Sequence, residues 1–422
     1  TQILVSSFKS EIFNNPVHEH KKENTIKKNQ IDSNKENTVI NNEKSTSRPT
    51  INVDNNNYKL FWGDIHMHSE ISLCSRFRDG HPYEKYEYSR NIKDLDFACI
   101  TDHSRQINKQ DWKILQKAAR FYTVPGEFLA FLGFEWIVAN RSKPSFHRHV
   151  IYKNDNETLL VQDNDPECYQ PSTFWERVKD KDIITVLHQS GDHFTRDIWK
   201  YADPDKEPLV EIYNVRGSYE YFNCPRNTFD NRYQYYNPYE ADLNNETCDY
   251  SDWVNKKGLI HEGLGKGYRF GFSSGGEHEG VGVTGVYAPE LTREAIFKAI
   301  KNRHTYGTTN AKIFLDFRVN NKIMGSEIDL NSDNKNQRKI KIKVKGTDDI
   351  REIAIFRNNY CLYKNEYVNG SEADIDFVDK SKFDKVVEKE SSPLDDAIYY
   401  YVRIIQDDRE MAWSSPIWIS RK

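Results

Sequence analysis

The sequence predicts a parallel, barrel-like α/β domain over residues 58–310, followed by a small antiparallel β-sandwich over residues 311–422. Three observations predict this. From Tyr58 onward, short apolar runs alternate with helical patterns, the arrangement that builds parallel sheets covered by helices. Histidines and acids recur just after those runs, as they do where parallel strands deliver side chains to one face of a barrel. Beyond Ala311 the pattern changes to strands.

Leu60-Phe61-Trp62 opens the first strand, and Asp96-Phe97-Ala98-Cys99-Ile100 reads as a second, buried one. Residues 110–122 carry Trp112, Leu115, Ala118, Ala119 and Tyr122 at helical spacing. Pro125-Gly126 then punctuates the chain, and residues 128–136 form a third strand. Residues 149–152 and 183–187 are further strands. Thr292 can cap a helix with Glu294 in its first turn, its face formed by Ala295, Ile296, Ala299 and Ile300. In the second part, residues 313–319 run into the turn signal Asn320-Asn321. Residues 339–345 alternate Lys with Ile or Val, a half-exposed strand, and residues 353–356 and 399–405 add two more.

The chain has 422 residues, enough for a large core plus a smaller domain. A net charge of −4 provides no basic field to recruit nucleic acid. No run of 18 apolar residues occurs, so no transmembrane helix is expected. The six cysteines, Cys74, Cys99, Cys168, Cys224, Cys248 and Cys361, include no C-x-x-C pair, which argues against a zinc ribbon. Scattered cysteines suit a reducing cytosol, and a chain beginning at Thr1 is compatible with export, so both compartments stay open. Residues 1–57 read as a disordered polar segment: no aromatic residue occurs between Asn14 and Asn57, too little apolar area to offset the entropy of ordering.

The strongest chemical signal is Gly63-Asp64-Ile65-His66-Met67-His68-Ser69, directly after a strand. Alternate residues of an extended chain face one side, so His66 and His68 can reach a single cation together. Other ligand types sit at other strand ends: Thr101-Asp102-His103, Glu135, the pair His147 and His149 around Arg148, His188, and Gly275-Gly276-Glu277-His278-Glu279. Imidazoles and carboxylates converging from six strands would form a multinuclear centre, and nitrogen and oxygen donors suit zinc, manganese or iron.

This order of motifs resembles the PHP superfamily (polymerase and histidinol phosphatase). The finer resemblance is to an uncharacterised PHP-like domain-of-unknown-function family with a C-terminal β-sandwich. It rests on residues 61–68, Gly133-Phe134-Glu135-Trp136, Leu291-Thr292-Arg293-Glu294-Ala295-Ile296, residues 303–309, Met324-Gly325 and residues 412–418, and covers roughly residues 58–419. The resemblance implies a distorted (β/α)7 barrel holding two or three divalent transition-metal ions. His66 and His68 would bind one metal, and Glu135 would bridge two. His188 would hold the second with His147 or His149, of which His147 is favoured by its place before Arg148. His103 and His278 would hold a third. Glu277 stands where the family usually has Asp, and Cys74 where the superfamily often has His or Asp, with Asp79 further on.

Such a resemblance implies a phosphoesterase acting on a small-molecule or polymer ester through a metal-activated hydroxide. His193, or whichever of His147 and His149 is not a ligand, is the candidate acid; Arg216, Arg148 and Arg303 are candidate phosphate contacts. Asp64 and Asp102 are expected to orient ligand imidazoles. The Tyr- and Asn-rich residues 219–250 read as an insertion over the site mouth. Competing readings are a metal-dependent C–N or carboxylic ester hydrolase, and a non-catalytic glycan- or polymer-binding protein.

Overall fold

The computed structural model describes residues 48–75, 79–138, 146–160, 171–191, 198–203, 205–221, 224–226, 259–278, 281–330, 337–366, 368–390 and 396–421. His193 and most of residues 219–250 lie outside them. The protein is mixed α/β and strand-rich, with a large sheet and few helices.

The first part runs β1 (Thr50–Val53), β2 (Asn56–Met67), α1 (Pro82–Asn91), β3 (Phe97–Ile100), α2 (Lys109–Tyr122), β4 (Leu129–Val138), β5 (Phe146–Tyr152), α3 (Pro171–Val178), β6 (Ile183–Leu187), β7 (Leu209–Asn214), β8 (Gly217–Ser218), α4 (Ile260–Gly265), β9 (Gly271–Ser274), β10 (Val283–Ala288), α5 (Arg293–Lys301) and β11 (Thr305–Thr308). The second runs β12 (Phe314–Val319), β13 (Lys322–Ile323), β14 (Glu327–Asp329), β15 (Arg338–Lys345), β16 (Ile350–Arg357), β17 (Tyr360–Asn365), β18 (Glu372–Asp379), α6 (Phe383–Glu390), β19 (Ala397–Gln406), β20 (Met411–Ser414) and β21 (Ile417–Ser420).

Order begins earlier than the polar composition suggests. β1 and β2 form a hairpin through Asp54 and Asn55, both with positive φ (49° and 64°), which short polar side chains tolerate best. Ile51 and Val53 alternate inward and are 4% exposed. The expectation of a polar disordered segment reaching residue 57 is corrected on this point.

β2, β3 and β4 are parallel neighbours, as are β6, β7 and β9. Between these two sets the parallel run breaks: β5 is antiparallel to both β4 and β6. Only residues 139–145 join β4 to β5, too short for a helical crossover, so the chain returns directly. β10 also lies antiparallel to β2. The sheet is therefore mixed where an all-parallel barrel was expected, although the ends of β2, β4, β6 and β9 still meet on one side.

Local chemistry explains the helices. Asn108 Oδ1 accepts from the Gln110 and Asp111 amides (2.7 and 3.0 Å), and Asp111 Oδ2 accepts from the Asn108 amide at 3.0 Å. This reciprocal cap contributes about 1 kcal/mol to α2. Trp112, Leu115, Ala118, Ala119 and Tyr122 then bury one face of α2, which packs against β4. Thr292 Oγ1 accepts from the Ala295 amide at 3.2 Å and starts α5.

In the second part, β13-β12-β15-β18 is a four-stranded antiparallel sheet. Asn320 and Asn321 make the β12–β13 turn with φ of 47° and 63°. β15 buries Ile340, Ile342 and Val344 on one side and turns lysines outward on the other. β16 pairs with β17 and β19, and β19 with β20 and β21, all antiparallel, while β14 joins β21 in parallel. β20 also pairs with β11, Trp413 opposite Gly307, so strands of the second part continue the sheet of the first. Among the described residues no helix is long and apolar enough to cross a membrane.

Candidate metal centre

The pleat of β2 turns His66 to one side, and His68 follows just beyond the strand; both are fully buried. Their backbone is clamped by the segment just after β9. The Glu277 amide donates to the His66 carbonyl at 2.7 Å, and the His68 amide donates to the Glu277 carbonyl at 2.9 Å. Gly275 makes this approach feasible, since a Cβ there would lie 2.4 Å from His66 Cβ and 2.6 Å from Glu211 Oε2.

Glu135 on β4 is the centre of the arrangement, 1% exposed. Its Oε1 lies 2.8 Å from His147 Nδ1 and 3.1 Å from His188 Nε2. Its Oε2 lies 2.9 Å from His68 Nε2, 3.4 Å from His103 Nε2 and 3.9 Å from His66 Nε2. Among the described residues, three groups have ligand atoms within 4.8 Å of one another: His66, Glu135, His149 and His188; His68, His103 and Glu135; and His68, Cys74 and His278. Glu135 belongs to the first two groups and His68 to the last two.

The donor set fits divalent cations. His66 Nε2, His103 Nδ1, both ring nitrogens of His149 and His188 Nδ1 are buried with no hydrogen-bond partner. Leaving a buried polar atom unsatisfied costs about 1–3 kcal/mol, so these nitrogens on four imidazoles call for partners, and each neutral ring has one lone pair to give a cation. Burial and neighbouring imidazoles hold His66, His149 and His188 below the usual histidine range, in the neutral form a metal requires. Burial alone would raise Glu135, but His188, His103 and His147 hold it well below the usual carboxylate range. Burial opposes charge on His68 and His103 as well; contacts with Cys74 and Glu135 nevertheless push them up to about 9 and about 10. Cys74, which burial would raise, is pulled down to about 4 by His103, His278 and His68.

β4 and β5 pair Glu135 with His149 and Ile137 with His147. Both histidines therefore share the face of Glu135. His149 is fully buried among His66 and His188, with ring centroids 3.8 and 4.0 Å away. His147 meets the same Glu135 oxygen as His188, and its side chain is 20% exposed. Arg148, between them, points to the opposite face, where Nε donates to Glu207 Oε1 at 2.5 Å and the guanidinium packs near Trp136 and Trp175. Arg303 is held by Glu327 (2.6 Å) and the Gly325 carbonyl (3.2 Å). The expectation that these two arginines face a phosphate is corrected. Arg216, 43% exposed, reaches the centre's rim, its Nη2 2.7 Å from Glu277 Oε1.

Glu277 adopts φ 55° and falls outside the three ligand groups. Its Oε1 accepts from Arg216 and from Gln189 Nε2 at 3.3 Å, and its Oε2 is buried without a hydrogen-bond partner. His278 Nδ1 lies 2.8 Å from Asp79 Oδ2.

Asp64 and Asp102 do not orient imidazoles. Asp64 accepts from the His66 and Gly276 amides (3.0 and 3.1 Å), and Asp102 from the Ser69 amide and hydroxyl (2.7 and 2.5 Å). They pin the loops that carry the histidines. Glu211 on β7 touches a ring that neither of them reaches: its Oε2 lies 2.9 Å from His66 Nδ1, and its Oε1 accepts from Asn214 Nδ2 at 2.9 Å. Burial and Glu277 hold Glu211 well above the usual carboxylate range. Its one sequence signal was an acid inside the apolar run Leu209-Val210-Glu211-Ile212-Tyr213. Glu211→Ala is expected to weaken divalent-metal binding about 10- to 100-fold, because His66 loses the bond that fixes its ring. Titration against a competing chelator measures this; unchanged affinity contradicts it.

Residues 81–189 and 271–341 match the family model "Protein of unknown function (DUF3604)". Three uncharacterised proteins are similar to the chain: one from Chlamydia pneumoniae, 25% identical over 389 residues; one from Chlamydia trachomatis serovar D, 29% over 391; and one from Chlamydia muridarum, 28% over 397. Each alignment covers 85% of this chain and 57% of the relative, so the chain spans little more than half the length of these curated relatives. Among solved structures, one similar chain is a two-domain protein from Bacteroides vulgatus ATCC 8482 containing a predicted PHP-like metal-dependent phosphoesterase (TM-score 0.41, 12% identity, 88% of this chain and 98% of that one). Another is PsfC from Pseudomonas syringae PB-5123 (TM-score 0.36, 17% identity, 59% of this chain and 91% of that one).

Proposed function

We propose that the protein is a metal-dependent hydrolase of phosphoesters, acting on a small molecule or polymer. One observation carries the reading: a single buried carboxylate, Glu135, stands between two groups of imidazoles and belongs to both. That is the donor arrangement of a bridged pair of divalent ions, of the zinc, manganese or iron type. Bound there, such ions would acidify a water molecule and neutralise charge developing on phosphoryl oxygens.

The chain's own residues supply the rest. His66, His149 and His188 would hold one ion with Glu135, and His68 and His103 the other. Glu211 fixes the ring of His66 from behind. Arg216, tethered to Glu277 yet half exposed, presents guanidinium donors where an anionic oxygen would enter. His147, hydrogen-bonded to Glu135 and partly open to solvent, is placed to pass a proton to a leaving oxygen. Two cations beside an arginine favour a multiply charged phosphoryl group over a neutral amide or acyl ester.

A panel of p-nitrophenyl esters tests the reading. Protein loaded with zinc, manganese or iron is expected to cleave phosphate mono- or diesters, and chelation to stop it. Turnover of the acetate ester alone would move the protein to carboxylic ester chemistry, and turnover indifferent to chelation would remove the metal from the account.

A further inference from the structure

We propose that the open side of the second part of the chain, where β17 and β18 end their sheets, docks a protein partner. The partner adds an extended strand to β18, with basic residues facing its acids and apolar residues facing inward. This surface is independent of the metal centre.

Among the described residues, β18 pairs with β15 alone and β17 with β16 alone. Each of the two strands turns one row of its backbone N–H and C=O groups away from its sheet, the template that an incoming strand uses. The two edges lie together, with the rings of Tyr363 and Phe377 5.3 Å apart. Ile375 and Phe377 pair with Ile342 and Ile340 of the core, and Tyr363 with Ile355, so all three face inward. They are nevertheless only half-buried, and a further strand along β18 would cover them.

The other face of β18 specifies the partner. Glu372, Asp374 and Asp376 are exposed and alternate along it. On the β15 side lysines answer them: Lys345 Nζ lies 2.7 Å from Glu372 Oε1, and Lys343 Nζ lies 3.2 Å from Asp374 Oδ2. A strand on the open side would meet the same acids, and lysine or arginine at every second position would pair with them as β15 does. A second copy of the chain does not fit. Antiparallel pairing of two β18 strands about Ile375 would set Asp374 against Asp376 at both ends of the contact. The acids thus oppose self-association at an open edge and admit a strand of opposite charge.

A fluorescently labelled peptide with the sequence of residues 339–345, which alternates lysine with isoleucine or valine, is the probe. Full-length protein is expected to bind it, and to bind a peptide with glutamate at every lysine position about tenfold or more weakly. Hydrogen exchange of residues 372–379 should slow when the lysine peptide is bound. Asp374→Asn combined with Asp376→Asn, both exposed, should weaken binding about five- to tenfold and keep the circular dichroism of wild type. No binding, equal binding of the two peptides, or binding without slowed exchange in β18 overturns the proposal. Self-association of the protein that slows the same amides gives the edge to a second copy and overturns it too.

Discussion

Replacing Glu135 by alanine is expected to remove divalent metal from both groups that share it and to lower phosphoester hydrolysis by about 10³-fold or more. The size of the effect follows from its position. Glu135 is a member of two of the three ligand groups, so a single truncation leaves His66, His149 and His188 on one side and only His68 and His103 on the other. No described carboxylate replaces it in those two groups, because Glu277 is committed to Arg216 and Gln189, and Glu211 to His66 and Asn214. The fold should survive. The loss falls within the polar histidine cluster, while the apolar residues of β3 and β4 that form the core are untouched. Metal content, ester turnover and circular dichroism on the same preparation check the three parts. A variant that keeps its metal, or turns over like wild type, contradicts the shared role.

The second large effect concerns stability. Glu220, just beyond β8, is fully buried and accepts from Tyr401 Oη (2.7 Å), Arg403 Nη1 (3.0 Å) and Trp413 Nε1 (3.0 Å). Tyr401 and Arg403 lie on β19 and Trp413 on β20, so this one carboxylate ties the part of the chain that carries the histidine cluster to the C-terminal strands. Glu220→Ala takes the carboxylate from a buried guanidinium, leaves the Trp413 indole N–H without its acceptor and leaves Tyr401 Oη with His261 Nε2 (2.6 Å), and is expected to cost about 3–5 kcal/mol. Arg403 keeps its bond to Glu352 at 2.9 Å, which places the loss within that range rather than above it. Urea unfolding of wild type, Glu220→Ala and Glu220→Gln measures this, with the glutamine variant falling between the other two. A loss under about 1 kcal/mol for the alanine variant would show that the two parts hold together without it.

Much of the centre was legible because its signals are local. His66 and His68 announce themselves by strand alternation, and Glu135 and His188 by standing at or just after apolar runs that proved to be β4 and β6. Strand alternation is also why the sequence could not separate His147 from His149: two residues apart on β5, they share a face, and only the register against Glu135 tells them apart. Arg148 was misjudged for the same reason in reverse, since the residue between two inward histidines must point away. Glu211 was missed because its meaning depends on a partner 145 positions away. The direction of β5 followed from a connection too short for a helix, a length visible in the sequence but outweighed by the expectation of a uniform barrel. The hairpin of β1 with β2 was hidden in a polar segment of which, among the described residues 48–57, only Ile51 and Val53 turn inward.

Anomalous diffraction from crystals grown with manganese or zinc tests the central claim most directly. The account predicts two peaks flanking the Glu135 carboxylate, one among His66, His149 and His188 and the other beside His68 and His103. Clear density for those side chains with no anomalous peak near Glu135, in protein that has never met a chelator, would contradict it.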